Sequence, residues 1–186
     1  MTKKLISFAA LSDPADERAA ELLYTAAFPP EERRPWDGIL HPQSPYGPQL
    51  SIIRISYPDS APRFAGIITV WEFETLRYIE HFAIDDSLRG SGIGADVLRA
   101  VLAASPKPVV LEVDPPADDN PMAARRISFY KRCGLQILPH PYIQPPYSPG
   151  LPAVPLLLMA SDVKIDPAMA EKLLHRQVYN HVQEAD

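Results

Sequence analysis

The 186-residue sequence predicts a mixed α/β (α+β) fold: a mostly antiparallel central sheet containing one parallel pair, flanked by helices. Three observations predict it. Strand-like runs at 51–57, 63–73 and 77–84 follow one another through short polar connections, a striped helical run separates the third from another strand-like run at 108–114, and helical and strand-like runs continue to alternate beyond it. Short connections join antiparallel neighbours, whereas a helical crossover joins parallel ones. With 46% apolar residues the chain suffices for one domain, 1–186, with a core over about 12–160 and a C-terminal amphipathic helix over about 166–183.

Ser12, Asp13 and Pro14 form a helix start, and Ala19, Leu22, Leu23 and Ala26 recur at helical spacing as far as Phe28, where Pro29 stops the run. EERRPWDGILHPQSPYGP carries prolines and charges without a period and reads as a long loop or short helix at the surface. SIIRISY and RFAGIITVWEF, joined by PDSA, make a hairpin, and RYIEHFAI makes the third strand. DDSLR then bridges to a glycine-rich turn that opens a helix striped by Ala95, Val97, Leu98, Val101 and Leu102. PVVLEVD is the parallel partner of the third strand. Asn120 as cap, Pro121 at the first helical position and Gly134 past the end bracket a helix with Ala123, Ile127 and Tyr130 on one side. LQIL and PLLLMA are the final strands, joined by a proline-dense loop. Asp166 and Pro167 open a last helix that aligns Ala170, Leu174 and Val178.

A net charge of -5 argues against a nucleic-acid partner held by bulk positive charge. No window approaches the roughly 18 apolar residues of a membrane span, and the first residues lack a convincing cleavage site, so neither a membrane partner nor a signal peptide is expected. The lone Cys133 excludes an internal disulfide and a multi-cysteine zinc site; it reads as a buried small hydrophobe in a cytoplasmic protein. Histidines at 41, 81, 140, 175 and 181 lack ligand spacing, so no metal is expected.

The stretch RGSGIG, Arg89 to Gly94, carries the chemistry. A helix start gathers backbone N–H groups without intrahelical partners, and its dipole adds about half a positive charge, so anions settle there. Glycines leave that backbone bare, which suits a diphosphate. A nucleoside-triphosphate loop needs Lys and Ser/Thr after its last glycine, whereas Ala95 and Asp96 follow here. Gly90, Gly92 and Ala95 do satisfy a dinucleotide pattern, with Glu112 about twenty residues on, but that pattern belongs immediately after the first strand of a parallel sheet.

Arg89-Gly90-Ser91-Gly92-Ile93-Gly94 resembles the Arg/Gln-x-x-Gly-x-Gly/Ala signature of the GNAT superfamily of N-acetyltransferases. EHFAIDDSLRGSGIG is similar to that family's central strand, acidic turn and pyrophosphate loop, and RRISFYKRCGLQI to its later helix ending in Tyr-x-x-x-Gly-Phe, with Leu135 in place of Phe. Residues of about 15–160 follow the family's element order. The resemblance implies acetyl-CoA as cosubstrate and a parallel pair splayed at its site. It implies that amides of Gly90, Ser91, Gly92, Ile93, Gly94 and Ala95 take the pyrophosphate and that backbone groups of Phe82, Ala83 and Ile84 run beside the pantetheine arm. Arg89 either contacts phosphate or braces the loop. Many family members carry Asn where Ala123 stands, so that contact to the arm is missing or supplied differently.

Acetyl transfer to an amine needs a neutral nucleophile, a stabilised oxyanion and a proton for the departing thiolate. The resemblance implies Glu80 on the third strand as base and Tyr130 as acid, with a backbone N–H near Phe82 or Ala83 polarising the carbonyl. Alternation puts Glu80 and His81 on opposite faces, so at most one points into the cleft; His81 has the more convenient ordinary pKa, near 6.5 against about 4.3. Glu112 and Asp114 either line the acceptor pocket or serve a turn. FPPEERRPW lies where the family builds its acceptor wall, although a charged run is commonly solvated. The proline-dense loop, with Tyr142 and Tyr147, is expected to cover the acceptor site. The expected partner is a small-molecule or peptide amine, in a monomer or homodimer; the competing expectation is a CoA-binding sensor or scaffold without catalysis.

Overall fold

The computed structural model describes residues 4–42, 47–118 and 120–179. Eight strands form one sheet: β1 Leu5–Ala9, β2 Gln49–Ser56, β3 Arg63–Glu72, β4 Arg77–Ile84, β5 Val109–Val113, β6 Gln136–Ile137, β7 Tyr142–Gln144 and β8 Val154–Ala160. Their order is β1-β2-β3-β4-β5-β8-β6, with β7 also against β8. β4 and β5 are parallel and the other pairs antiparallel, as the connection lengths predict. Two strands go beyond the sequence reading: β1 lies in the short apolar start, and β7 inside the proline-dense loop.

The helices are α1 Pro14–Ala27, α2 Trp36–Leu40, α3 Ile93–Ala104, α4 Pro121–Cys133 and α5 Pro167–Leu174. The expected caps hold: Asp13, Asn120 and Asp166 accept backbone amides two or three residues on, and Gly134 ends α4 at φ +108°. The last helix does not continue regularly, because after Leu174 it widens into a π-helical turn, His175–Tyr179. Ala170, Leu174 and Val178 are all buried as the stripe predicts, and the remainder of the expected helix, 180–183, lies outside the described residues.

Strand alternation sorts the core. Ile53, Ile55, Ile68, Ile79 and Leu111 pack with Val97, Leu98 and Ile127 of α3 and α4. Ile52, Ile67 and Ala83 pack with Ala20, Tyr24 and Ile39 of α1 and α2, and Trp71, Tyr78, Val110 and Leu158 pack with α5. Burying such aliphatic side chains contributes about 1.5–3 kcal/mol each before entropy is charged against it. One irregularity matters for the site. The β3/β4 register steps from Thr69 opposite His81 to Val70 opposite Ile79, leaving Glu80 as the extra residue of a β-bulge. The expectation of opposite faces for Glu80 and His81 therefore fails: their side chains stand side by side, His81 Nδ1 3.8 Å from Glu80 Oε2.

Candidate active site

β4 and β5 pair only through Arg77–Ile79 against Val109–Leu111. Beyond that point the strands part, and the fork opens into a cleft of about 880 Å³. Ala83 aims its carbonyl at Gly66, and Asp85 donates its amide to the Ala65 carbonyl at 2.9 Å. Alternation therefore turns the backbone groups of Phe82 and Ile84 away from β3 and toward the gap.

One end of the cleft is the glycine turn. Gly90 and Gly92 adopt φ of +77° and +80°, the left-handed region that favours glycine, and Gly92 is the N-cap of α3. Nothing lies within 4 Å of where a Cβ would stand at either position. The amides of Ile93, Gly94 and Ala95 begin the helix and have no carbonyl one turn earlier to receive them. Gly94 differs, since a Cβ there would meet Ile84 and Phe129 at ordinary distances of 3.5 and 3.6 Å. The Ser91 amide and hydroxyl both return to the Leu88 carbonyl. Arg89 pairs with Asp86 at 2.7 Å on the exposed rim, which braces the loop.

At the other end, where the strands part, stand Glu80 and Glu112. Glu80 is fully buried and fully partnered: Arg34 donates through Nε and Nη2 at 3.2 and 2.9 Å, Trp71 through Nε1 at 2.8 Å, and the Tyr147 hydroxyl at 3.1 Å. The Arg34 guanidinium lies between the Trp71 and Tyr147 rings, 5.3 Å from each centroid, and also donates to the Val178 carbonyl at 2.9 Å. Burial pushes the Glu80 carboxyl up, but the Arg34 charge and the hydrogen bonds from Trp71 and Arg34 outweigh it and hold the group below the ordinary carboxylate range.

Glu112 has no such cation. Its carboxylate accepts from Tyr78 at 2.8 Å, from Tyr179 at 3.0 and 2.9 Å, and from Tyr142. Burial pushes it up to about 7, against the pull of these phenols. His81 carries different chemistry. Its Nε2 faces the Glu32 carbonyl at 3.2 Å, which can only accept, so Nε2 holds the proton and Nδ1 accepts from the Thr69 hydroxyl at 3.1 Å. Burial lowers its pKa and keeps the ring neutral, so it pins the loop carrying Glu32 and Arg34. Tyr130 lines the cleft from α4, its phenol pushed up to about 12 by burial.

The chain and its fold have relatives among known proteins. The sequence profile of the acetyltransferase (GNAT) family matches residues 17–135. A Bacteroides thetaiotaomicron protein assigned to the GNAT family of acetyltransferases superposes with a TM-score of 0.78 at 32% identity, over 94% of this chain and 98% of its own. The chain belongs to the GNAT family of acetyltransferases. YjbC of Bacillus subtilis, assigned as an acetyltransferase, is 30% identical over 66 residues, 36% of this chain and only 34% of YjbC. A Bacillus subtilis acetyltransferase solved in complex with CoA shares the fold at a TM-score of 0.55 and 13% identity, covering 86% of this chain and 99% of its own.

Membership makes this GNAT chain an acetyl-CoA-dependent acyltransferase. Its cleft brings Glu80, Phe82, Ala83, Ile84, Arg89, Gly90, Gly92, Ile93, Gly94, Ala95 and Tyr130 together along one surface. Asn120 serves as helix cap, accepting the Ala123 amide at 3.2 Å, and Ala123 is fully buried, so α4 offers no side-chain amide to the cleft at that position. Sequence reasoning missed Arg34, Tyr78 and Tyr179. The charged run around Arg34 is not a solvated face: Arg33 donates to the Thr25 and Phe28 carbonyls, and Arg34 is largely buried. Among the described residues, no helix is long and apolar enough to cross a membrane, and no group of three His, Cys, Asp or Glu could hold a metal.

Proposed function

We propose that this protein acetylates a primary amine by direct attack on acetyl-CoA in a ternary complex, with Glu112 as base and Tyr130 as acid. The observation that carries the reading is one continuous cleft joining the bare amides of the glycine turn to the Glu112 carboxyl, which burial pushes up to about 7. The residues present fit the donor. Amides of Gly90, Gly92, Ile93, Gly94 and Ala95 would hold the pyrophosphate, Ser91 and Arg89 would shape the turn, and the Phe82 and Ile84 backbone would flank the pantetheine arm while Ala83 keeps β4 on β3.

Glu80 carried the expectation of base. Four donor bonds, two of them from Arg34, already occupy it, so its affinity for a further proton is low; it serves better as the counter-ion that fixes Arg34. A general base works best when its pKa lies near the operating pH, which favours Glu112. Glu112 takes the proton of the incoming ammonium, freeing the nitrogen lone pair to form the new C–N bond. The Phe82 N–H, facing the gap, polarises the thioester carbonyl. As the C–S bond breaks Tyr130 gives its proton to sulfur, the second proton leaves the acylated nitrogen through water and restores the Tyr130 phenol, and Glu112 releases the first proton to solvent.

Release of free thiol from acetyl-CoA in the presence of a panel of primary amines tests the proposal. Glu112→Gln is expected to lower turnover by about 10²–10⁴ and to remove the acid limb of the pH profile. Tyr130→Phe is expected to lower turnover while leaving acetyl-CoA affinity unchanged. Calorimetric binding of acetyl-CoA without amine-dependent thiol release would overturn the transferase reading in favour of a CoA-binding sensor.

A further inference from the structure

We infer that Tyr179, on the π-helical turn near the C-terminus, is a positioning residue whose hydroxyl rotates to let Glu112 gain and lose a proton. The inference rests on Glu112 as base. Counting donors leads to it. Four phenols meet two carboxylates here. Tyr147 commits its proton to Glu80 at 3.1 Å; Tyr78, Tyr142 and Tyr179 commit theirs to Glu112. That arrangement suits an ionised Glu112; a protonated one must itself donate, and among the described residues each hydroxyl beside it already directs its proton at the carboxyl, so at least one of these contacts has to reverse its direction.

One hydroxyl changes from donor to acceptor toward Glu112 when the acid forms. Tyr179 is the one placed to do so. It alone lies within hydrogen-bond reach of both Glu112 oxygens, at 3.0 and 2.9 Å, and its oxygen also stands 3.5 Å from the Tyr147 oxygen, which has lone pairs to accept with. In the acid state Glu112 donates to the Tyr179 oxygen, and the Tyr179 proton swings to Tyr147. Tyr78, beside Glu112 Oε2, can also turn, toward the Tyr179 oxygen at 3.2 Å, and that route bypasses Tyr147, so an unmoved Glu112 midpoint in Tyr147→Phe would overturn the assignment to Tyr179. The π-helical turn that carries Tyr179 also reaches β4 indirectly, since the adjacent Val178 carbonyl accepts from Arg34, which grips Glu80 on that strand. The C-terminal turn thus touches the machinery on both sides of the fork, and π-helical turns often sit at functional sites.

The two tyrosines carry opposite signatures. Tyr179→Phe removes a charge-assisted bond from the carboxylate and a weaker neutral one from the acid, so the Glu112 midpoint rises by about one pH unit. Tyr147→Phe leaves all three bonds to the Glu112 carboxylate, removes the acceptor of the turned hydroxyl and takes one donor from Glu80, so the Glu112 midpoint falls. The measurement is a ¹³C carboxyl titration of glutamate-labelled full-length protein, with the Glu112 resonance assigned by its absence in Glu112→Gln; it requires no acceptor. An upward shift in folded Tyr179→Phe and a downward shift in Tyr147→Phe are expected. An unmoved midpoint in Tyr179→Phe overturns the inference; should that variant not fold, an unmoved or raised midpoint in Tyr147→Phe does so. Full amine acetylation with an intact acid limb in Glu112→Gln would instead sink Glu112 as base, an outcome the titration shifts do not mimic.

Discussion

Gly92 and Gly94 stand two positions apart in one turn, yet the backbone demands glycine only at the first. Gly92 lies at φ +80° with open space beyond it, whereas Gly94 has an ordinary φ and room for a methyl group. Gly92→Ala is expected to lower stability by about 1–3 kcal/mol through the left-handed backbone and to weaken acetyl-CoA binding further, because the new methyl occupies the space beside the free amides. Gly94→Ala should change both little; paired thermal melts and calorimetry decide the matter. At this scale the residues proposed to hold the donor were legible as a group because they are contiguous, and the structure brings all of them but Ser91 to one cleft. Arg34 was not: its partner Glu80 lies 46 positions away, and nothing local distinguishes a buried arginine from its solvated neighbours. Glu112 was visible as a pocket candidate, but the three phenols that surround it converge from three separate elements.

Elements with a clear period were readable to within a few residues, including the starts of the helices capped by Asp13, Asn120 and Asp166, although the last helix leaves the α form after Leu174, well before its expected end. β1 was lost because five residues next to a charged start give too short a signal, and β7 because prolines crowd its flanks. The bulge in β4 was not legible, since one extra residue in a ladder depends on its partner strand rather than on its own sequence. That bulge brings Glu80 onto the face where Arg34 can reach it. Its neighbour, Gly66 on β3, shows how closely the two strands approach: a Cβ there would stand 2.2 Å from the Ala83 carbonyl oxygen. Backbone cannot yield as a flexible side chain does. Gly66→Ala is expected to cost about 1–3 kcal/mol and, by forcing β4 outward at its cleft-lining end, to weaken acetyl-CoA binding, whereas a loss of stability with unchanged affinity would separate the two effects.

Across the whole molecule the two carboxyls at the fork pull stability in opposite directions with pH. Glu80 titrates below its ordinary range when folded, so its contribution is present above the unfolded pKa of about 4.3 and is lost as pH falls through the folded value. Glu112 is raised to about 7, so between about 4.3 and that value the folded chain keeps a proton the unfolded chain has released, and stability falls as pH rises across the window. Melting temperatures recorded from pH 5 to 8 should decline less steeply in Glu112→Gln than in the parent; identical slopes would show that Glu112 ionises normally. The placement of β8 has a further consequence for how the molecule is made. It is the strand that completes the far edge of β5, which otherwise is held to the sheet by three residue pairs with β4 alone. A nascent chain that has emerged from the ribosome only as far as α4 possesses its glycine turn but lacks the strand that holds β5 firmly, so a fully braced cleft must await β8.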